Sequence, residues 1–196
     1  EINLEKRQNR LFLICLPDTL ISEIRLYFTY EVPNTIFYLY GYCEIVAQIL
    51  RRENFKCPGY YNLYIAIGET EYEAINRTFI LEDWYTFGIA ILNRQQLLEA
   101  SHEDQERLIL KSISDGLKDI SILDGLDNEI IERAIDEARK IGVMTERIIN
   151  SKENGKIRFT VSAKPLRGKF EQEVFLTLED KKSERIVKWK FGEEDL

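Results

Sequence analysis

Histidine is nearly absent from this chain: His102 is the only one in 196 residues. A histidine-rich metal site is thereby excluded, because such sites draw on several imidazoles or on closely spaced thiolates. A Ser–His or Cys–His catalytic pair would have to recruit His102 itself. That residue precedes Glu103 and Asp104 at an expected helix start, in a hydrophilic stretch, so we expect it at the surface. Cysteine is scarce as well. Cys15, Cys43 and Cys57 are odd in number and far apart, and they read as buried free thiols of a reducing cytoplasm rather than as a disulfide framework. No apolar run approaches the roughly 20 residues that cross a bilayer. The stretch from Leu11 to Leu16 stops at Pro17 and Asp18, too short for a signal-peptide core. Gly41, Gly59, Gly68 and Gly88 are isolated and form no phosphate-binding loop, and no serine sits in a nucleophile elbow.

Aromatic residues are missing from Ile91 to Arg158, whereas all ten tyrosines lie between Tyr27 and Tyr85. Aromatics favour strands, and aromatic-poor stretches rich in Leu, Ile, Glu and Lys favour helices. We therefore expect an α+β fold: an antiparallel sheet from the aromatic-rich N-terminal half, two or three helices between about 94 and 141, then C-terminal strands and hairpins. Ser22 to Val32 alternates, with Ile24, Leu26, Phe28 and Tyr30 on one face. Pro33 and Asn34 turn the chain, and Ile36 to Cys43 alternates again, so 22–43 reads as a hairpin. Leu63–Ile67, Thr78–Leu81 and Tyr85–Leu92 read as further strands, while Ile45–Arg52 fits strand or helix.

Helix signals follow. Asn93 and Ser101 stand three residues before Gln96 and Asp104, in capping positions, and Asp127 caps a third segment. Ile109, Ile113, Leu117 and Ile120 form one apolar stripe; Ile130, Ala134, Ala138 and Ile141 form another, which Gly142 ends. In the tail, Asn154-Gly155 marks a hairpin, and Asp180 to Ser183 marks a second turn. One domain over 1–196 is expected; the alternative is a main domain over 1–145 with a hairpin module over 146–196.

The net charge of −7 is unevenly spread. Residues 1–95 carry 9 basic and 12 acidic side chains, residues 96–150 carry 7 and 13, and residues 151–196 carry 11 and 9. Such acidity opposes nonspecific DNA binding by the whole chain and suits a basic protein partner. Glu69, Glu71 and Glu73 occupy alternate positions, with Glu82, Asp83, Trp84 and Tyr85 following. If the segment is extended, the three glutamates share one side. The expected binding face is this set of seven: carboxylates for charge, Trp84 and Tyr85 as aromatic anchors. Tyr38, Tyr40 and Tyr42 form a second candidate row on a sheet surface. In the tail, Val187, Trp189 and Phe191 are expected in the core, with Lys188 and Lys190 facing solvent.

The function expected from these features is non-catalytic protein binding, with no metal, no cofactor and no membrane or DNA partner. An immunity-type inhibitor that neutralises a basic bacterial toxin enzyme in the cytoplasm is its concrete form. Two alternatives stay open: a carboxylate-only enzyme or regulator using the Glu69-to-Asp83 cluster, and an RNA-associated accessory protein using the basic tail.

Overall fold

The computed structural model describes residues 18–77, 84–167 and 171–195. In order these form β1 (Asp18–Leu20), β2 (Glu23–Phe28), a 3-10 turn (Asn34–Tyr40), α1 (Gly41–Arg52), β3 (Lys56–Pro58), β4 (Asn62–Gly68) and α2 (Glu71–Asn76). They continue as β5 (Tyr85–Ile91), α3 (Arg94–Glu99), α4 (His102–Asp124), α5 (Asn128–Ile141), β6 (Arg147–Glu153), β7 (Ile157–Pro165), β8 (Glu171–Asp180) and β9 (Arg185–Asp195). The class is α+β, with three helices between 94 and 141 and paired C-terminal strands, as the sequence leads one to expect. The chain divides into two compact units. Residues up to Val32 with Tyr42–Lys140 form one, and Pro33–Gly41 with Ile141–Leu196 form the other.

The first unit departs from the expected antiparallel sheet. Its three-stranded sheet, ordered β2-β4-β5, is parallel throughout, and among its described strands only the short pair β1–β3 is antiparallel. No hairpin spans 22–43. Parallel neighbours need a crossover connection, and α1 supplies it between β2 and β4. The residues read as a second strand lie instead in the 3-10 turn and the start of α1. The reason is a helical stripe: Ile36, Leu39, Cys43, Val46 and Leu50 are all buried. That period of three to four outweighs the strand preference of the intervening tyrosines and phenylalanine. Tyr38 and Tyr42 are buried in consequence, so the tyrosine row is not a sheet surface.

One face of the parallel sheet carries Ile24, Leu26, Leu63, Ile65, Ile67 and Ala90, all buried, and α4 lies along β4 and β5. Ser101 accepts from the Asp104 amide, and Gly125 ends α4 in the left-handed conformation at φ 67°. The stripe Ile109, Ile113, Leu117 and Ile120 is buried, as expected. In α5 the buried stripe is Ile131, Ala134, Ile135 and Ala138; of the expected set Ala134 and Ala138 are buried, Ile130 is half-buried and Ile141 exposed. Asp127 accepts from the amides of Glu129 and Ile130, capping α5.

The second unit is built on an antiparallel sheet ordered β6-β7-β8-β9. Asn154 closes the first turn by accepting from the amides of Lys156 and Ile157, and Asp180 does the same for Lys182 and Ser183. These are Asx-type turns, in which a short side chain replaces a backbone acceptor.

Candidate functional site

The glutamate segment is helical rather than extended. Thr70 and Glu73 form a capping box: the Thr70 hydroxyl accepts from the Glu73 amide at 3.3 Å, and the Glu73 carboxylate accepts from the Thr70 amide at 3.2 Å. Glu73 also accepts from the Glu69 amide at 2.9 Å. Glu69 reaches across to the start of α3, accepting from the Arg94 amide at 3.0 Å and the Asn93 side chain at 3.2 Å. Both carboxylates therefore tie backbone together. Glu71 is exposed in the first turn of α2, and beside it Tyr72 is 75% exposed. Tyr72 was not among the expected site residues. The signal that finds it is the Thr-x-x-Glu pattern at 70–73, which starts a helix and turns its second and third residues outward.

The aromatic pair lies elsewhere. Asn62 is in register with Tyr85 and Gly68 with Ile91, so Trp84 and Tyr85 sit at the amino end of the sheet. Glu69, Glu71 and Glu73 sit at its carboxyl end, roughly 20 Å away at ~3.3 Å per residue. The five described residues of the expected set do not share one face; Glu82 and Asp83 lie outside the described residues. Tyr85 is buried, while Trp84 is 38% exposed and packs edge-on against Tyr85 and Tyr64, with ring centroids 4.6 and 6.1 Å apart. These rings join Tyr27 and Phe87 on the side of the sheet opposite α4. Arg25 lies 5.7 Å from the Tyr64 ring, and burial pushes the Tyr64 phenol up to about 12, Arg25 acting against it.

At the carboxyl end of β2 and α2 an open groove of about 420 Å³ is walled by Phe28, Tyr30, Glu31, Glu73, Asn76 and Arg77. The Tyr30 hydroxyl donates to the Leu92 carbonyl at 3.0 Å. Glu31 is exposed at the rim. Glu31 and Glu73 wall the groove together with Arg77, and Glu71 and Tyr72 are exposed on the helix that forms one of its walls. The carboxyl ends of parallel strands are where open α/β sheets place ligands.

Cys43 and Cys57 are buried; burial raises both thiols, Cys57 to about 12, which keeps them protonated and unreactive. Cys15 lies outside the described residues. His102 is exposed at the start of α4. Among the described residues no three His, Cys, Asp or Glu side chains group in a way that could hold a metal ion. Basic side chains of the tail pair with carboxylates: Lys190 with Glu173 at 2.8 Å, Arg158 with Glu153 and Glu179 at 2.8 and 3.1 Å, and Lys188 with Glu146. Trp189 and Phe191, expected in the core, are 46% and 77% exposed. No described helix is long and apolar enough to cross a membrane.

Comparison with protein-family models, with curated proteins and with solved structures finds no match to this chain.

Proposed function

We propose that this protein acts by binding a basic protein partner through the acidic carboxyl edge of its parallel sheet, in the manner of an immunity-type inhibitor working in the cytoplasm. The observation that carries this reading is the exposed pair Glu71 and Tyr72 beside a groove rimmed by Glu31. The cap formed by Thr70 and Glu73 fixes the backbone that carries Glu71 and Tyr72, so little backbone freedom is lost on binding. Charge of one sign steers a basic partner to the edge, and the tyrosine supplies apolar area and a hydroxyl once water leaves. The charge distribution supports the same direction. The first unit carries 24 acidic and 15 basic side chains.

The test pairs the protein with the product of the gene encoded beside its own, the natural place for an inhibited enzyme. Co-expression is expected to relieve growth arrest by that product, and stopped-flow association is expected to slow as salt rises. Replacing Glu31 and Glu71 by lysine should slow association about tenfold or more and flatten its salt dependence. Tyr72→Ala should instead speed dissociation, by the ~2 kcal/mol that marks an anchor. An association rate unchanged by the double charge reversal would remove the acidic edge from the interface.

A further inference from the structure

The C-terminal sheet is two-sided in composition: one side is mainly charged, with Ile148 and Ile186 exposed among its ion pairs, and the other is mainly apolar. On one side the ion pairs of Glu146, Glu153, Glu173 and Glu179 with Lys188, Lys190 and Arg158 cover the strands. On the other, the register aligns Phe159, Leu178 and Val187 in one row and Val161, Leu176 and Trp189 in the next. None of these six is fully buried. A groove of about 450 Å³ runs along this side, bounded by Ile149 and Phe191. An antiparallel sheet with one face in water shows polar residues there; a face of Phe, Leu, Val and Trp on β7, β8 and β9, edged by Lys152 and Asn150 of β6, is one that something covers.

We infer that a second copy of this chain covers it, face to face, in a two-fold dimer. Four strands ~4.8 Å apart, about eight residues long at ~3.3 Å each, present roughly 500 Å² of sheet per copy. Stacking two such faces buries about 1,000 Å² in total, the threshold for a specific interface, before side-chain relief is counted. The balance of charge permits self-association of this unit. The second unit carries twelve basic and ten acidic side chains, close to balance, whereas the first unit carries 24 acidic and 15 basic and repels its own copy. The sheet edges are guarded against strand addition: Lys188 and Lys190 lie on β9, and a bulge interrupts β6 between Ile148 and Asn150. Stacking of faces is what remains. It sets the Trp189 indole of each copy toward the groove of the other, and a two-fold arrangement closes without growing into fibres.

This inference is independent of the acidic edge. Sedimentation velocity on the full chain, from about 1 to about 100 μM, spans the weak end of standard-size interfaces. The expected result is a monomer–dimer equilibrium that Trp189→Asp and, separately, Phe191→Lys abolish with unchanged far-ultraviolet circular dichroism. Phe191 is the more exposed of the two, so its variant folds even if Trp189→Asp does not. Ile186→Asp, on the opposite side of the same strand and 63% exposed, should leave the dimer intact. A monomer at every concentration, a dimer lost in Ile186→Asp but not in the other two, or open-ended growth with concentration each overturns the proposal.

Discussion

In Thr70-Glu71-Tyr72-Glu73 the two glutamates differ only in what surrounds them. The carboxylate of Glu73 accepts from two backbone amides; that of Glu71 stands in solvent. Glu73→Ala returns the Glu69 and Thr70 amides to water and should destabilise the fold by about 1 kcal/mol. Glu71→Ala should stay within about 0.5 kcal/mol. Urea denaturation of the two variants checks this, and equal midpoints would show that the capping box contributes nothing. Tyrosines divide in the same way. Tyr42 and Tyr60 are buried rings whose hydroxyls donate to Glu106 at 2.8 Å and Asp124 at 2.6 Å, while Tyr72 is open to water. Composition counts these side chains alike; only their hydrogen-bonded surroundings separate a core tyrosine from an anchor.

At the scale of elements, the contact of α4 with β4 and β5 rests on two glycines. A Cβ on Gly88 would meet the Gly116 carbonyl oxygen at 1.9 Å, and a Cβ on Gly116 would meet Ile65 at 2.5 Å. Glycine within a helix costs about 1 kcal/mol relative to alanine; here it lets helix and strand backbones approach closely. Asp119 of α4 reinforces the contact by accepting from the Ile89 amide at 3.1 Å. Gly88→Ala clashes with backbone that cannot rotate away and should destabilise by at least about 3 kcal/mol, the upper range for overpacking. Gly155→Ala, with open space around it, is the control. Thermal melts that fail to separate the two would mean that α4 does not sit this close to β5. The helices from 93 onward were legible because stripe and cap agree there. At 36–43 aromatic propensity pointed to strand while the burial period pointed to helix, and tertiary burial decided.

At the scale of the molecule, the second unit carries a built-in acid sensitivity. Burial opposes ionisation of Glu146, yet hydrogen bonds from Lys188 and Ser162 outweigh it and hold the carboxyl below its ordinary value. Glu153 is lowered by Lys181 and Arg158. A carboxyl lowered in the folded state contributes its full stability above the unfolded value of about 4.3, and loses it as pH falls through the folded value. Stability of this sheet should therefore drop below about pH 4. Trp189, placed on β9, reports on this unit by fluorescence when Trp84 is replaced by phenylalanine. Glu146→Gln should lower stability at neutral pH and flatten the acid transition, its difference from the parent vanishing in strong acid. Parallel pH curves would exclude Glu146 as a source of the effect.

Taken alone, the sequence determined the α+β class, the caps and stripe of α4, the C-terminal turns, the scarcity of histidine and cysteine, and the acidic sign of the larger part of the chain. Each of these rests on local chemistry: a cap is read within four residues and a stripe within one helix. Whether β2 and β4 run parallel, whether Trp84 lies near Glu71, and whether Trp189 faces a core or water are questions of contacts between distant segments. Alternation tells which side of a strand is apolar and not what covers it, so the parallel sheet, the split of the expected binding face and the open side of the last sheet were decided only in the tertiary structure.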